Sequence, residues 1–169
     1  ELKGEGTYFL PFNQGSEGAG KAGGAGNPVK DGYITSYLWD TVFSVDSTFD
    51  LLNKFITLDV TKEEYFVNGV KKTEIKQKLI FPRYHQYDVV NKIVESIKAN
   101  GAGNNYLIEH SAGSGKSNSI AWIAYRCASA FDKDDKPIFD SVIVVTNRIV
   151  LDSQLQDTIN SFEHKAGLV

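Results

Sequence analysis

Residues Asn105 to Phe131 read NYLIEHSAGSGKSNSIAWIAYRCASAF, and the parsing of this stretch decides the fold. Tyr106, Leu107 and Ile108 form an apolar run that predicts a buried strand. A tight loop of small residues follows, Ser111, Ala112, Gly113, Ser114 and Gly115, after which Lys116 and Ser117 open a helix. Ile120, Ile123, Ala124, Cys127, Ala128 and Phe131 recur at helical spacing, so they are expected to form the core face of that helix. A strand, a small-residue loop and a helix in this order make a phosphate-binding loop. Backbone N–H groups wrap an anion, and only residues without bulky side chains let the main chain approach it that closely. The helix start adds its unpaired N–H groups and about half a unit of positive dipole charge. Gly113, Ser114 and Gly115 are then the cradle, Lys116 reaches the β- and γ-phosphates, and the Ser117 hydroxyl holds Mg²⁺. The pattern G-x-x-x-x-G-K-[ST] is met except at its first position, where His110 replaces glycine and restricts the backbone to ordinary φ/ψ.

Downstream, Asp140 to Thr146 (DSVIVVT) is a near-continuous apolar run of the kind buried on both faces of a parallel sheet. With the loop helix it predicts a right-handed βαβ unit, hence an α/β fold with helices flanking a parallel sheet. Asn147 and Arg148 fall at the carboxyl end of this strand, where open α/β sheets bind ligands. A helix is expected from about Ile149 to Phe162, with Leu151, Leu155, Ile159 and Phe162 inward. Upstream, Val90, Ile93, Val94 and Ile97 mark one face of a helix that Gly101 stops. One helix and a return strand separate Gln86 from Lys116, which places the start of this helix beside the loop. The Gln86 amide offers a donor and an acceptor to an adenine edge. The plainer reading of a lone glutamine is surface decoration.

Further back, Gly15 to Pro28 is glycine-dense and contains a G-x-G-x-x-G (Gly18, Gly20, Gly23) and an imitation phosphate loop ending in Lys21 and Ala22. Neither has a helix after it, so a mobile linker is expected. Thr35 onward (SYLWDTVF) and Ser47 to Ile56 (STFDLLNKFI) predict two short helices, the second capped by Ser47. Glu64 to Ile75 is a hairpin candidate because Asn68 and Gly69 favour the type I′ turn. Lys71, Lys72, Lys76 and Lys78 make its second strand basic, either as a solvated edge or as a DNA-backbone contact. Glu1 and Lys3 resemble the E-x-K half of a metal-dependent nuclease site, but such a site also needs an aspartate on a preceding strand, which this sequence does not carry, so they make a poor nuclease pair.

A composition of 41% hydrophobic and 23% charged residues over 169 positions is that of a soluble globular protein with core to spare. No apolar run approaches the roughly 20 residues a bilayer span needs. With a net charge of −3, any nucleic-acid contact must come from a local basic patch. The single cysteine, Cys127, excludes an internal disulfide and fits a reducing compartment, the cytoplasm. The chain begins at Glu1, contains no methionine and shows no secretory signal, so it reads as an internal segment of a longer polypeptide.

Several ordered strings together resemble the restriction (motor) subunit of type I restriction-modification enzymes, within the superfamily 2 helicase-like translocases. They are FLPFN (Phe9 to Asn13), GAGNP (Gly24 to Pro28), TSYLWDTV (Thr35 to Val42), IFPRYHQ (Ile80 to Gln86), HSAGSGKSNSIAW (His110 to Trp122) and DSVIVVTNRIVLDSQLQDTI (Asp140 to Ile159). The resemblance implies an ATP-driven translocase on double-stranded DNA that assembles with modification (methyltransferase) and specificity subunits. Its complete chain would carry a nuclease domain and two RecA-like motor domains. Residues 1–32 would then be the end of the nuclease region and the Gly-rich linker. Residues 33–80 would be connecting helices and hairpin, and 81–169 the first half of a RecA-like P-loop domain. Gln86 and Arg83 would belong to the adenine-reading motif, His110 to Ser117 to motif I, and Thr146, Arg148 and Gln154 to a segment that touches the DNA backbone. The family's metal-coordinating D-E-x-H strand and arginine finger have no counterpart here, so no catalytic residue is expected within this segment and it should hydrolyse neither ATP nor DNA alone. Three other readings remain: a P-loop kinase or GTPase-like switch, for which an N-K-x-D element is missing; a non-hydrolysing regulatory P-loop module; and a structural βαβ domain in which His110 spoils the loop.

Overall fold

Two helices supply the frame. In the first, α2 (Tyr84–Asn100), apolar residues return at helical intervals, and Tyr87, Val90, Ile93, Val94 and Ile97 are all buried on one face. Gly101 ends it, its N–H reaching back to the Ile97 carbonyl at 2.8 Å. The second, α3 (Lys116–Ala128), packs against it. The computed structural model describes residues 12–146 together with Gln156 and Ile159. Glu1, Lys3, Asn147, Arg148, Gln154 and the body of the helix expected over 149–162 lie outside the described residues, although Gln156 and Ile159 are both helical.

Ahead of this pair, a π-helical turn (Leu38–Val42) leads to α1 (Val45–Asp50), which winds on as a second π turn, Leu51–Phe55. The cap of α1 is Ser44, not Ser47: the Ser44 side chain accepts the Ser47 N–H at 3.4 Å. Either serine fits the cap preference, but only Ser44 stands three residues before an N–H in need of an acceptor. Val42, Leu51 and Phe55 enter one core with Tyr87, Val90, Val94, Ala121 and Trp122.

The core face of α3 is rotated from the expected stripe. Ser119, Ala121, Trp122, Arg126 and Cys127 are buried, whereas Ile120 and Phe131 are 39% and 51% exposed. The cause is Trp122, which is fully buried. Its indole N–H donates to the Phe55 carbonyl at 3.1 Å, and its ring sits 5.6 Å from that of Phe55. Burying this larger surface outweighs burying Ile120. Cys127 is buried as expected, and that burial pushes its thiol pKa up.

Arg126 joins the same face because Asp50 of α1 meets it at 3.0 Å, with Lys54 on the other carboxylate oxygen at 2.8 Å. Burial drives the Asp50 pKa upward, but Lys54 and Arg126 together outweigh it and hold the carboxyl below its ordinary value of 3.8. A depressed carboxylate contributes stability above its unfolded pKa, and that stability is lost as pH falls through the folded value. Asp50→Asn is therefore expected to cost about 1–3 kcal/mol at neutral pH, since it leaves Arg126 buried with half a partner. The deficit should shrink below about pH 4. Urea melts at the two pH values check both statements.

The hairpin extends well beyond the expected Glu64 to Ile75. Strands β1 (Thr57–Val67) and β2 (Val70–Ile80) pair antiparallel along their whole length, with Val67 opposite Val70. Asn68 (φ 51°) and Gly69 (φ 76°) make the turn with two left-handed residues, as type I′ demands. Of the four lysines of β2, Lys71 pairs with Glu64 at 2.6 Å and Lys76 pairs with Glu63. Leu58, Val60, Phe66, Ile75 and Leu79 are exposed on the face that also carries the Lys71–Glu64 pair, and Lys76–Glu63 lies on the other face.

The parallel sheet is not formed among the described residues, whose one sheet is this two-stranded hairpin. Neither 106–108 nor 140–146 is a strand, and Leu107, Ile143 and Val145 are almost fully exposed. A parallel strand is stable only with ladder partners and cover on both faces. Here the two segments do not pair with each other, and Tyr106 and Ile108 of the first line an apolar cavity of about 290 Å³ together with Ile93, Ile97, Ile123 and Phe139.

The glycine-dense stretch is a closed loop and not an open linker. Asn27 ties its two ends, accepting from the Gln14 N–H at 2.8 Å and donating to Asn13 at 3.1 Å, while Gly15 and Ser16 bond to the Gly26 and Gly24 carbonyls. Phe12 anchors the loop edge-on against Tyr84 at 5.3 Å and Phe81 at 5.7 Å, and its carbonyl accepts the Tyr37 hydroxyl.

Candidate functional site

The loop from His110 to Gly115 turns on Gly113 (φ 72°) and Gly115 (φ 80°), and Gly115 passes directly into α3. Left-handed residues at these two places turn successive peptides over, so that carbonyls face one side and N–H groups the other. No side chain caps the start of α3, leaving its first N–H groups for a ligand or solvent.

The carbonyl side is held by the start of α2. Arg83 Nη1 donates to the Gly113 carbonyl at 3.5 Å, and His85 Nε2 lies 3.0 Å from that of Ser114. Gln86 Nε2 donates to Gly115 at 2.8 Å and more weakly to Ser114 at 3.4 Å. The Gln86 Oε1 accepts the Arg83 N–H at 2.8 Å. Three side chains from one helix end thus grip three consecutive loop carbonyls. Gln86 is 3% exposed, which overturns its reading as surface decoration: both ends of its amide are used by the chain itself. The sequence placed Gln86 and Arg83 beside the loop correctly. What they hold in this geometry is loop backbone.

Lys116 folds back over the loop, its Nζ donating to the carbonyls of His110 at 3.0 Å and Ser111 at 2.7 Å. Its ammonium therefore lies at the mouth of the cradle. Ser114 is buried with its hydroxyl unpartnered among the described residues, and Ser117 is half-buried on the first turn of α3. Thr146 ends the described part of the 141–146 segment and is half-buried; Arg148 and Gln154 lie outside the described residues.

His85 had no sequence signal beyond its place beside Gln86. Its ring meets that of His110 edge-on at 4.7 Å, and the His110 Nδ1 is buried without a hydrogen-bond partner among the described residues. Burial lowers the His110 pKa, with the positive potential of His85 and Lys116 acting in the same direction.

Helix, cradle and lysine all fall inside one stretch that a family model recognises. Residues 85–167 match the model of the SWI2/SNF2 ATPases. The SWI2/SNF2 match supports a helicase-like superfamily 2 ATPase, and with it ATP binding and hydrolysis as the general chemistry. It spans α2 from His85, the loop and α3, the same elements that build the site. No curated protein and no solved structure matches the chain. Among the described residues no helix is long and apolar enough to cross a membrane.

Proposed function

We propose that this chain is the ATP-binding part of an ATP-dependent DNA translocase, the motor subunit of a type I restriction enzyme. The observation that carries the nucleotide half of this reading is the cradle itself: two left-handed glycines, an uncapped helix start and the Lys116 ammonium turned over the loop. The match to the SWI2/SNF2 ATPases favours a translocase over a kinase or GTPase-like switch. The restriction-enzyme half rests on the ordered strings from FLPFN to DSQLQDTI.

The residues present fit ATP and Mg²⁺. The Ser114 hydroxyl, unpartnered among the described residues, and the uncapped N–H groups at the very start of α3 are donors that suit an anionic group. Lys116 is the ammonium that would leave its two carbonyls for phosphate oxygens, and Ser117 would hold the metal ion. Mg²⁺ neutralises charge on the phosphates when bound. The chain's own part is to orient the triphosphate, and Arg83, His85 and Gln86 keep the N–H side of the loop turned inward while it does so. Double-stranded DNA, a modification subunit and a specificity subunit are the proposed partners.

A fluorescent ATP analogue titrated against the chain tests the site. Lys116→Ala is expected to weaken binding about 10- to 100-fold, the worth of a charge-assisted hydrogen bond. Equal affinity in the two proteins would dismiss the phosphate-binding role. Should the analogue bind while the longer polypeptide in which this segment is proposed to lie shows no DNA-stimulated hydrolysis with DNA and the two partner subunits, the regulatory P-loop module would replace the motor.

A further inference from the structure

We propose that His110 takes up a proton when a nucleoside di- or triphosphate settles in the loop, so that the site grips its ligand more tightly as the pH falls through neutrality. The inference rests on the phosphate-binding reading above and adds to it a proton-coupled specificity for polyanions.

At the first position of the motif His110 replaces glycine. This histidine shares its loop with the ligand, and its ring lies edge-on to that of His85 at 4.7 Å, the planes crossed at 82°. His85 Nε2 lies 3.0 Å from the Ser114 carbonyl, whereas the His110 Nδ1 is buried without a hydrogen-bond partner among the described residues.

The charges turned toward this pair are predominantly positive. Lys116 of α3 has its Nζ 3.0 Å from the His110 carbonyl, and Arg83 at the start of α2 reaches the Gly113 carbonyl. The neighbouring carboxylate, Glu109, is exposed to solvent. Burial first, and the positive potential of His85 and Lys116 after it, disfavour the His110 imidazolium and lower its pKa.

A di- or triphosphate reverses that balance. It draws the Lys116 ammonium onto its oxygens and, because that ammonium lies 3.0 Å from the His110 carbonyl, brings several negative charges close to His110. An anion that raises the pKa of a nearby imidazole must, by linkage, bind more tightly when that imidazole is protonated, and its binding must withdraw protons from solution. The proton goes from buffer to a ring nitrogen, and no bond of the ligand is broken.

Calorimetric titration with Mg·ADP at about pH 6.5, in two buffers of different ionisation heat, counts the protons taken up. His110→Gly restores the glycine of the motif, and His110→Gln removes the imidazole while keeping a polar side chain. Ionisation of the ADP phosphate is common to all three proteins, so differences between them isolate the His110 imidazole. Wild type is expected to take up about 0.3–0.7 proton more than either variant. Its affinity should rise about three- to tenfold from pH 8 to pH 6.5, with the slope flattened in both variants. Equal uptake and equal slopes in wild type and His110→Gly would overturn the proposal. If wild type binds no Mg·ADP at any pH, the phosphate-binding reading fails first and the proton coupling falls with it.

Discussion

Replacing Trp122 by alanine is expected to cost the fold about 3–5 kcal/mol, the usual range for deleting a fully buried aromatic side chain. Three losses combine at this position. The ring leaves a cavity between Phe55 and the α2 face, since Trp122, Phe55, Tyr87 and Val90 share one core. The Phe55 carbonyl loses the indole N–H that caps the second π turn. Finally, α3 loses the contact that sets its rotation, so Ile120 competes for the inward position. For a protein whose total stability is about 5–15 kcal/mol, a loss of this size brings unfolding close to working temperature. Thermal melts followed by circular dichroism, with Trp122→Phe as the milder control, measure it. A loss below about 1 kcal/mol would mean the packing of α3 is misassigned.

Gly115→Ala is expected to cost about 2–5 kcal/mol and to disable the site along with the fold around it. At φ 80° and ψ 36° an alanine pays about 1–2 kcal/mol for the left-handed conformation alone. Its Cβ would then stand 2.5 Å from Gln86 Nε2. A long side chain usually escapes such a contact cheaply, but Gln86 is buried, and its amide is bound to Ser114, Gly115 and the Arg83 N–H. Moving it aside leaves buried polar groups unpaired, which accounts for a further 1–3 kcal/mol or so. Gly115→Ala combined with Gln86→Ala tests this coupling. The double variant should recover the clash but not the backbone strain, and strict additivity would show that the two residues do not meet.

Much of the helical frame was legible in the chain. The spacing of Val90, Ile93, Val94 and Ile97 fixes the inner face of α2, and Asn68-Gly69 fixes the hairpin turn. The bounds of the hairpin were not, because β1 and β2 are exposed on both faces for most of their length and carry no strict alternation. The phase of α3 was misread for a related reason: Ile120, Ala121, Trp122, Ile123 and Ala124 are consecutive, so apolar residues point in nearly every direction. Periodicity also never places an arginine inward, and only the long-range pairing of Arg126 with Asp50 does so. At the site, the residue types of the loop announced Gly113, Gly115 and Lys116. The grip of Arg83, His85 and Gln86 on its carbonyls depends on a contact between segments far apart in sequence, which no local pattern encodes.

That grip has a thermodynamic corollary. The cradle exists only while α2 and α3 are docked, so the unfolded chain retains no remnant of it, and a ligand bound there is a ligand for the native state alone. Mass action then requires saturating nucleotide to raise the melting temperature: at a hundred times the dissociation constant the gain is about 2.7 kcal/mol. A dye-based melt can therefore rank ligands for this chain with no turnover assay at all.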